Sequence, residues 1–260
     1  KWKPQNYGGS TGGLTTLREG LRKSLNLISV RIVQQDYAPA EQVKRTAQRM
    51  GISTDIRAVD AIALGTSEVI PLEMVSAYAA YANKGVYSKP FAITKIEDRY
   101  GNTIREYGAV QYEVLSDEIA FLMTNLMQTV MDRGTAGSAR WKYKFTRPAA
   151  GKTGTTQGWS DAWFVGFTPQ LATGVWFGVD DYQVSLGMGQ DGSKAALPTW
   201  ARFMRDGHDI MDMPRVNFQR PSGVIVSEIC SVSKMGARKA CPVEKEVYKS
   251  GSEPGQKCRI

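Results

Sequence analysis

The sequence predicts a mixed α/β chain of the α+β type: a helical first half, an antiparallel sheet in the second, and a tail outside both. Three observations predict it. Apolar residues recur at helical spacing in the first half. Two runs rich in aromatic and β-branched residues, 161–167 and 171–180, then follow one another between turn residues. Beyond Pro214 periodicity fades, and all three cysteines fall in that last stretch.

A first helix is expected over 16–26. Thr16 and Glu19 have the spacing of a capping box, Leu14, Leu17, Leu21 and Leu25 share one face, and Ser24-Leu25-Asn26 closes the segment. A second helix over 40–50 stops at Gly51. Pro71 suits the first turn of a third, which runs to Asn83 ahead of Gly85. Segments 91–98 and 103–107 flank Tyr100-Gly101-Asn102 and read as a hairpin. Ser116 then caps a helix with Ile119, Leu122, Met123, Leu126, Met127 and Val130 on one face, which assigns its methionines to the core. Strands at 149–156, 161–167 and 171–180 follow in meander order, with a helix around 197–205 after them. No internal repeat is present.

At 260 residues and 42% hydrophobic content, the chain buries a sizeable core. One large domain over 1–213 and a cysteine-containing tail over 214–260 are expected. No apolar run approaches the roughly 18 residues of a membrane span, and no basic-apolar-small leader opens the sequence. For a complete protein that would argue for the cytosol; for a fragment that starts mid-domain it says little. The net charge of +8, from 33 basic and 25 acidic residues, gives a solvated basic surface or one drawn to an anionic envelope or to substrate carboxylates. No segment interleaves concentrated Lys and Arg with aromatics, so nucleic acid is not an expected partner. Clustering of Cys230, Cys241 and Cys258 suggests an extracytoplasmic disulfide with one thiol left over, the shorter Cys230–Cys241 loop being first choice. A metal reading lacks a fourth ligand, because the single histidine, His208, is remote and reads as a surface residue in a loop.

The chemistry centres on Lys152-Thr153-Gly154-Thr155-Thr156. On an exposed strand edge these residues form a surface that pairs with an extended peptide. Gly154 lets a ligand backbone approach, and Lys152 holds a carboxylate or developing negative charge. Gly151-Lys152-Thr153 also looks like the end of a phosphate-binding loop, but that loop needs a glycine at position 146, where Thr146 stands. The nucleotide reading fails on its own spacing. Far upstream lies Ser24-x-Asn26, a pattern that carries little weight alone.

Together, Ser-x-Asn and Lys-Thr-Gly match two of the three motifs of penicillin-binding proteins and serine β-lactamases. The surrounding text is similar to the transpeptidase domain of class A, bifunctional penicillin-binding proteins. It includes Trp2-Lys3-Pro4-Gln5-Asn6, the run from Leu14 to Asn26, Ala63-Leu64-Gly65, Pro71-Leu72-Glu73-Met74, the run from Ala77 to Asn83, Gly134-Thr135, and the stretches from Ala150 to Thr156 and Asp161 to Gly166. The resemblance runs from residue 2 to about 204. It implies a penicillin-binding, β-lactamase-like fold in which a serine attacks the peptide bond between two D-alanines of a peptidoglycan stem peptide. A neighbouring amine then resolves the acyl-enzyme into a cross-link, and β-lactams acylate the same serine. No metal or organic cofactor is implied.

Carried onto this sequence, the resemblance gives Ser24 a proton relay toward the leaving amine and Asn26 a hydrogen bond to the substrate amide. Lys152 would supply positive potential, while Thr153 and Thr155 bind the terminal carboxylate. The Thr155 N–H would form half of an oxyanion hole. Thr156 fits the text with no fixed role, and Trp159, Asp161 and Trp163 would support the strands. The family's nucleophile motif, Ser-x-x-Lys, does not precede Ser24. Ser231-Val232-Ser233-Lys234 has the spacing but the wrong order. The chain thus reads as the later part of a transpeptidase domain, its sheet short of strands and of a central helix unless another segment or chain provides them. A class A protein would also carry a glycan-polymerising domain and a membrane anchor and work outside the cytoplasm. A D,D-carboxypeptidase or β-lactamase shares the motifs and passes the acyl group to water. A non-catalytic scaffold is the alternative from another class. Whatever the reaction, Ser24 and Asn26 are expected to converge on Lys152, because one small substrate must touch them all.

Overall fold

Helices α1 (Leu17–Arg22), α2 (Asn26–Gln34), α3 (Ala40–Arg49) and α4 (Pro71–Ala82) come first, with a 3-10 turn at Asp60–Leu64. Four short strands follow: β1 (Val86–Ser88), β2 (Lys95–Glu97), β3 (Thr103–Glu106) and β4 (Gln111–Glu113). Helices α5 (Asp117–Arg133) and α6 (Ser138–Trp141) lead into strands β5 (Ala150–Thr155), β6 (Asp161–Phe167) and β7 (Ala172–Gly178), then helix α7 (Ala196–Ile210). Strands β8 (Val224–Cys230) and β9 (Val243–Lys249) end the chain. The computed structural model describes every residue except Lys1, Gly8, Ser10, Thr11, Gly12, Leu14, Tyr182 and Ile260, so the expectation for Leu14 lies outside the described residues.

The meander forms as expected. β5, β6 and β7 pair antiparallel in that order, with β5 at the edge, and the register sets Lys152 opposite Val165 and Thr153 opposite Phe164. Successive side chains alternate faces, and the helices use that alternation. A Cβ added at Gly166 would meet the Trp200 ring of α7, while one at Gly174 would meet Val75 of α4, so the two helices cover opposite faces. Phe164, Leu197, Trp200 and Met204 are fully buried with Val130 and Met131 of α5. Truncating a buried aromatic of this kind typically costs about 3–5 kcal/mol. The Trp200 indole N–H donates to Thr173 O at 3.1 Å, satisfying its polar end inside the core.

Several expectations are corrected. The helix expected over 16–26 breaks in two at Ser24, and α2 starts at Asn26. Its first turn is capped from far away, since Leu27 N–H donates to Asn6 Oδ1 at 3.0 Å. No local cap marks that start, so the leucine spacing reads straight through it. Leu17 is 60% exposed, off the face assigned to it. On α5 the buried stripe is rotated: Ala120, Thr124, Met127, Val130 and Met131 face inward, while Ile119 is largely exposed. Ser116 caps α5 as expected, its hydroxyl accepting the Ile119 N–H.

The hairpin over 91–107 is real but short, as β2 and β3, and a second pair, β1 with β4, joins segments too brief to show alternation. His208 is no surface residue. It is fully buried on α7, where Nδ1–H donates to Met204 O at 2.6 Å and Nε2 shares a 3.0 Å hydrogen bond with Thr168 Oγ1. Thr168 also accepts the Gln170 and Leu171 N–H groups, so this histidine anchors the turn between β6 and β7. The tail forms an antiparallel hairpin of β8 with β9 over a full seven-residue register. Its Glu246 meets Arg18 of α1 in an ion pair. No disulfide links the three cysteines among the described residues, so the expected Cys230–Cys241 bond is not formed.

Candidate active site

A cavity of about 510 Å³ opens between the α1–α2 turn and the outer edge of β5, walled in part by Ser24, Asn26, Thr135, Thr153, Thr155 and Trp159. How Ser24 reaches it follows from the end of α1. The Ser24 N–H donates to Leu21 O and the Leu25 N–H to Gly20 O, the paired bonds of a left-handed helix stop. Ser24 itself takes φ +54°, a conformation that usually falls to glycine there. The turn docks on the end of α5. Thr135 N–H donates to Arg22 O, and a Cβ at Gly134 would stand 2.6 Å from that same carbonyl, so only glycine lets the segments close. As α5 packs along β5, Ser24 is delivered to Lys152.

Lys152 Nζ donates to Ser24 Oγ at 2.7 Å and to Thr153 O at 2.9 Å. Among the described residues, no carboxylate comes within ion-pair distance of it. Burial alone lowers its pKa to about 8. A half-buried cation without a protein counter-ion suits an anionic ligand, which would offset the cost of holding the charge. Thr153 and Thr135 share a hydrogen bond at 2.9 Å between their hydroxyls, and Thr155 Oγ1 accepts the Gly192 N–H at 3.0 Å. Both hydroxyls are therefore aimed by fixed partners. β5 is an edge strand, so its outer side is not occupied by another strand of the sheet.

Not every expected residue faces the cavity in the expected way. Asn26 Nδ2 donates to Gln5 O at 2.8 Å, so residues 5–6 lie across the start of α2 and hold its amide. The Thr156 hydroxyl is engaged in the β5–β6 turn, bonded to Ser160 Oγ and to the Asp161 N–H. At Gly154 the close approach is made from within the protein: a Cβ there would press on Trp163 Cβ at 3.1 Å, and Gly192 lies against its backbone. Asp161 accepts the Trp176 indole N–H at 2.8 Å, and Trp163 packs near Trp176, a supporting role. Gln5, Thr135 and Gly192 were not singled out by motif. Gln5, within Trp2–Asn6, and Thr135, within Gly134-Thr135, stood in the resembling text without a function, and no local signal marks Gly192.

The strain at Ser24 is testable. Left-handed backbone costs a non-glycine residue about 1 kcal/mol, so Ser24→Gly is expected to be about 1 kcal/mol more stable than Ser24→Ala, although both lack the hydroxyl. Chemical denaturation of the two variants measures this directly. A glycine variant that melts below the alanine one would contradict the geometry described.

A family model described as the penicillin binding protein transpeptidase domain matches residues 1–205. Penicillin-binding protein 1A of Aquifex aeolicus is similar, 35% identical over 257 residues, which is 99% of this chain and 34% of that protein. The crystal structure of penicillin-binding protein 1A from Haemophilus influenzae superposes with a TM-score of 0.90 at 27% identity, covering 99% of this chain and 43% of that one. The PonA1 protein of Mycobacterium tuberculosis, solved in complex with penicillin V, is similar at TM-score 0.68 and 26% identity, over 84% of this chain and 61% of that one. The chain spans about a third of the length of the curated relatives it matches.

Proposed function

Because this chain belongs to the transpeptidase-domain family of penicillin-binding proteins, we propose that it supplies the leaving-group and carboxylate side of a peptidoglycan D,D-transpeptidase site. The observation that carries the reading is the 2.7 Å hydrogen bond from Lys152 to Ser24, residues separated by 128 positions, which sets the lysine directly behind a serine that lines the cavity. Residues 1–213 are read as the later part of the domain and 214–260 as a tail docked on it. The acylated serine belongs to an earlier part of the same domain, and the protein is anchored in the membrane with its catalytic domain outside the cytoplasm. Among the described residues, no helix is long and apolar enough to cross a membrane.

In this reading the serine Oγ adds to the carbonyl of the D-Ala–D-Ala bond. The C–N bond breaks, and terminal D-alanine leaves with a proton relayed through Ser24. An amine of a second stem peptide then displaces the serine, regenerating its hydroxyl and forming the cross-link. Thr153 and Thr155 hold the terminal carboxylate, and the Thr155 N–H faces the developing oxyanion. Asn26 reaches the substrate amide if the Gln5 carbonyl gives way. Penicillins carry a carboxylate in the corresponding place and engage the same hydroxyls.

Lys152 sets the pH profile. Its charge is present below about pH 8 and lost above it, so acylation by a carboxylate-bearing penicillin is expected to fall on a basic limb near pH 8. Arginine stays protonated throughout, so Lys152→Arg is expected to abolish that limb whatever it does to the absolute rate. Stopped-flow acylation across pH 6–10 reads both. An unchanged limb in the arginine variant would assign it to another group.

The function is tested by labelling the intact protein and this chain with a fluorescent penicillin. The intact protein is expected to form one adduct, on a serine upstream of Ser24. The 260-residue chain, shown folded by circular dichroism and a melting curve, is expected to form none. Ser24 has no general base beside it, since the Lys152 ammonium donates to its Oγ, and Ser231 sits in a turn remote from the cavity in sequence. An adduct mapped by mass spectrometry to Ser24 or Ser231 would overturn the assignment of roles.

A further inference from the structure

We propose that Cys230, Cys241 and Cys258 form a thiolate site for a d10 metal ion of the zinc class, which clasps the C-terminal hairpin. The three sulfurs come from three separate stretches: the end of β8, the connection to β9, and the segment after β9. All Sγ atoms nevertheless lie within 4.8 Å of one another, and all three side chains are buried. Thiolates around a tetrahedral zinc, at about 2.3 Å from the ion, stand roughly 3.8 Å apart. With no pair further apart than 4.8 Å, all three sulfurs are within reach of one ion, whereas a disulfide draws two sulfurs together and strands the third.

The backbone prepares the sulfurs as ligands. Ser233 N–H donates to Cys230 Sγ and Arg238 N–H to Cys241 Sγ, each at 3.5 Å, so backbone donors fix the direction of two of the three sulfurs. The chain around them is pinned. Cys230 N–H donates to Met235 O, Cys241 N–H to Arg238 O, and Cys258 N–H to Gly236 O. Gly236 bridges both Ile229 of β8 and Lys257 beside Cys258, so one residue ties the ends of the motif together.

The energetics point the same way. A two-stranded hairpin is marginal in water, and the cysteines form a separate small cluster against which, among the described residues, Ala237 is the one partly buried hydrophobic packed. Small units of this kind are commonly stapled by a structural metal. Among the described residues the group holds three ligands. The fourth position of a tetrahedral ion therefore falls to water or another donor. His208, on α7 and bonded to Thr168 and Met204, is not part of it.

The test uses the full chain, purified under reducing conditions and loaded with zinc. Elemental analysis is expected to find one zinc per chain, with all three thiols shielded from alkylation and released together by a chelator. Substituting Co²⁺ is expected to give sulfur-to-metal charge-transfer absorption in the near ultraviolet, a readout that needs no variant. Cys258→Ser is expected to weaken zinc binding at least tenfold. Zinc retained undiminished by C258S, no cobalt charge transfer in reduced protein, or a disulfide-linked cysteine pair in protein prepared with zinc would each overturn the proposal.

Discussion

Lys152→Ala in the intact protein is expected to slow penicillin acylation and stem-peptide cross-linking together, by about 30- to 900-fold, from a loss of about 2–4 kcal/mol of transition-state stabilisation. In the proposed reading both reactions develop an oxyanion beside a carboxylate, and both meet the same cation. Removing Lys152 also frees Ser24 Oγ from its 2.7 Å donor, so the relay loses its orientation with the charge. Stability is expected to hold or rise, because a partly desolvated ammonium without a counter-ion is costly in the free protein. Acylation kinetics paired with a melting curve separate the two effects. A variant that acylates at the normal rate would remove the role given to Lys152.

Arg18→Ala is expected to destabilise the chain by about 3 kcal/mol, at the lower end of the range for breaking a buried ion pair because some solvent reaches this one. The Arg18 guanidinium uses all of its donors. Nε and one Nη bind the two Glu246 oxygens of β9, and the remaining N–H groups reach Asn125 O, Asn125 Oδ1 and Thr129 Oγ1 of α5. The side chains of the pair are only 12% and 17% exposed. Truncation leaves Glu246 in a partly buried place without its partner. Burial pushes the Glu246 carboxyl up, but the Arg18 hydrogen bonds and the Val247 N–H outweigh it and hold the group below the usual carboxylate range.

The sign of the pH effect follows. A lowered carboxylate pKa contributes stability that is present above the unfolded value, near about 4.3 for Glu, and lost as pH falls through the folded one. The cost of Arg18→Ala is therefore expected to shrink in acid. Urea unfolding at neutral pH and in acid reads both quantities. A cost below about 0.5 kcal/mol at neutral pH, the scale of an ordinary surface change, would mean that the tail hangs loose from α1.

Much of the site was legible because chemistry demands convergence. Ser-x-Asn and Lys-Thr-Gly were expected to meet around one substrate, and Lys152 does reach Ser24. The β5–β7 meander was legible because aromatic and β-branched runs bounded by turn residues have few other solutions. What escaped was set at a distance. Ser24 ends α1 in a left-handed turn that sequence associates with glycine, so one helix was expected where two exist. Asn6 caps α2 from 21 residues upstream of Leu27, outside any local window. His208 reads as polar and thus exposed, yet Thr168 and Met204 satisfy both ring nitrogens in the core. The tail's alternation was masked by charged residues on β9. The partner that fixes it, Arg18, lies 228 positions before Glu246.

A crystal structure of the intact protein acylated by benzylpenicillin tests the central claim most directly. The cavity between the α1–α2 turn and β5 is expected to hold the drug. Its carboxylate should lie within hydrogen-bond distance of Thr153 and Thr155 Oγ1, with Ser24 Oγ bridging Lys152 Nζ to the opened ring nitrogen. A penicilloyl group seated elsewhere, or one that leaves Ser24 and the two threonines without contact, would contradict the account.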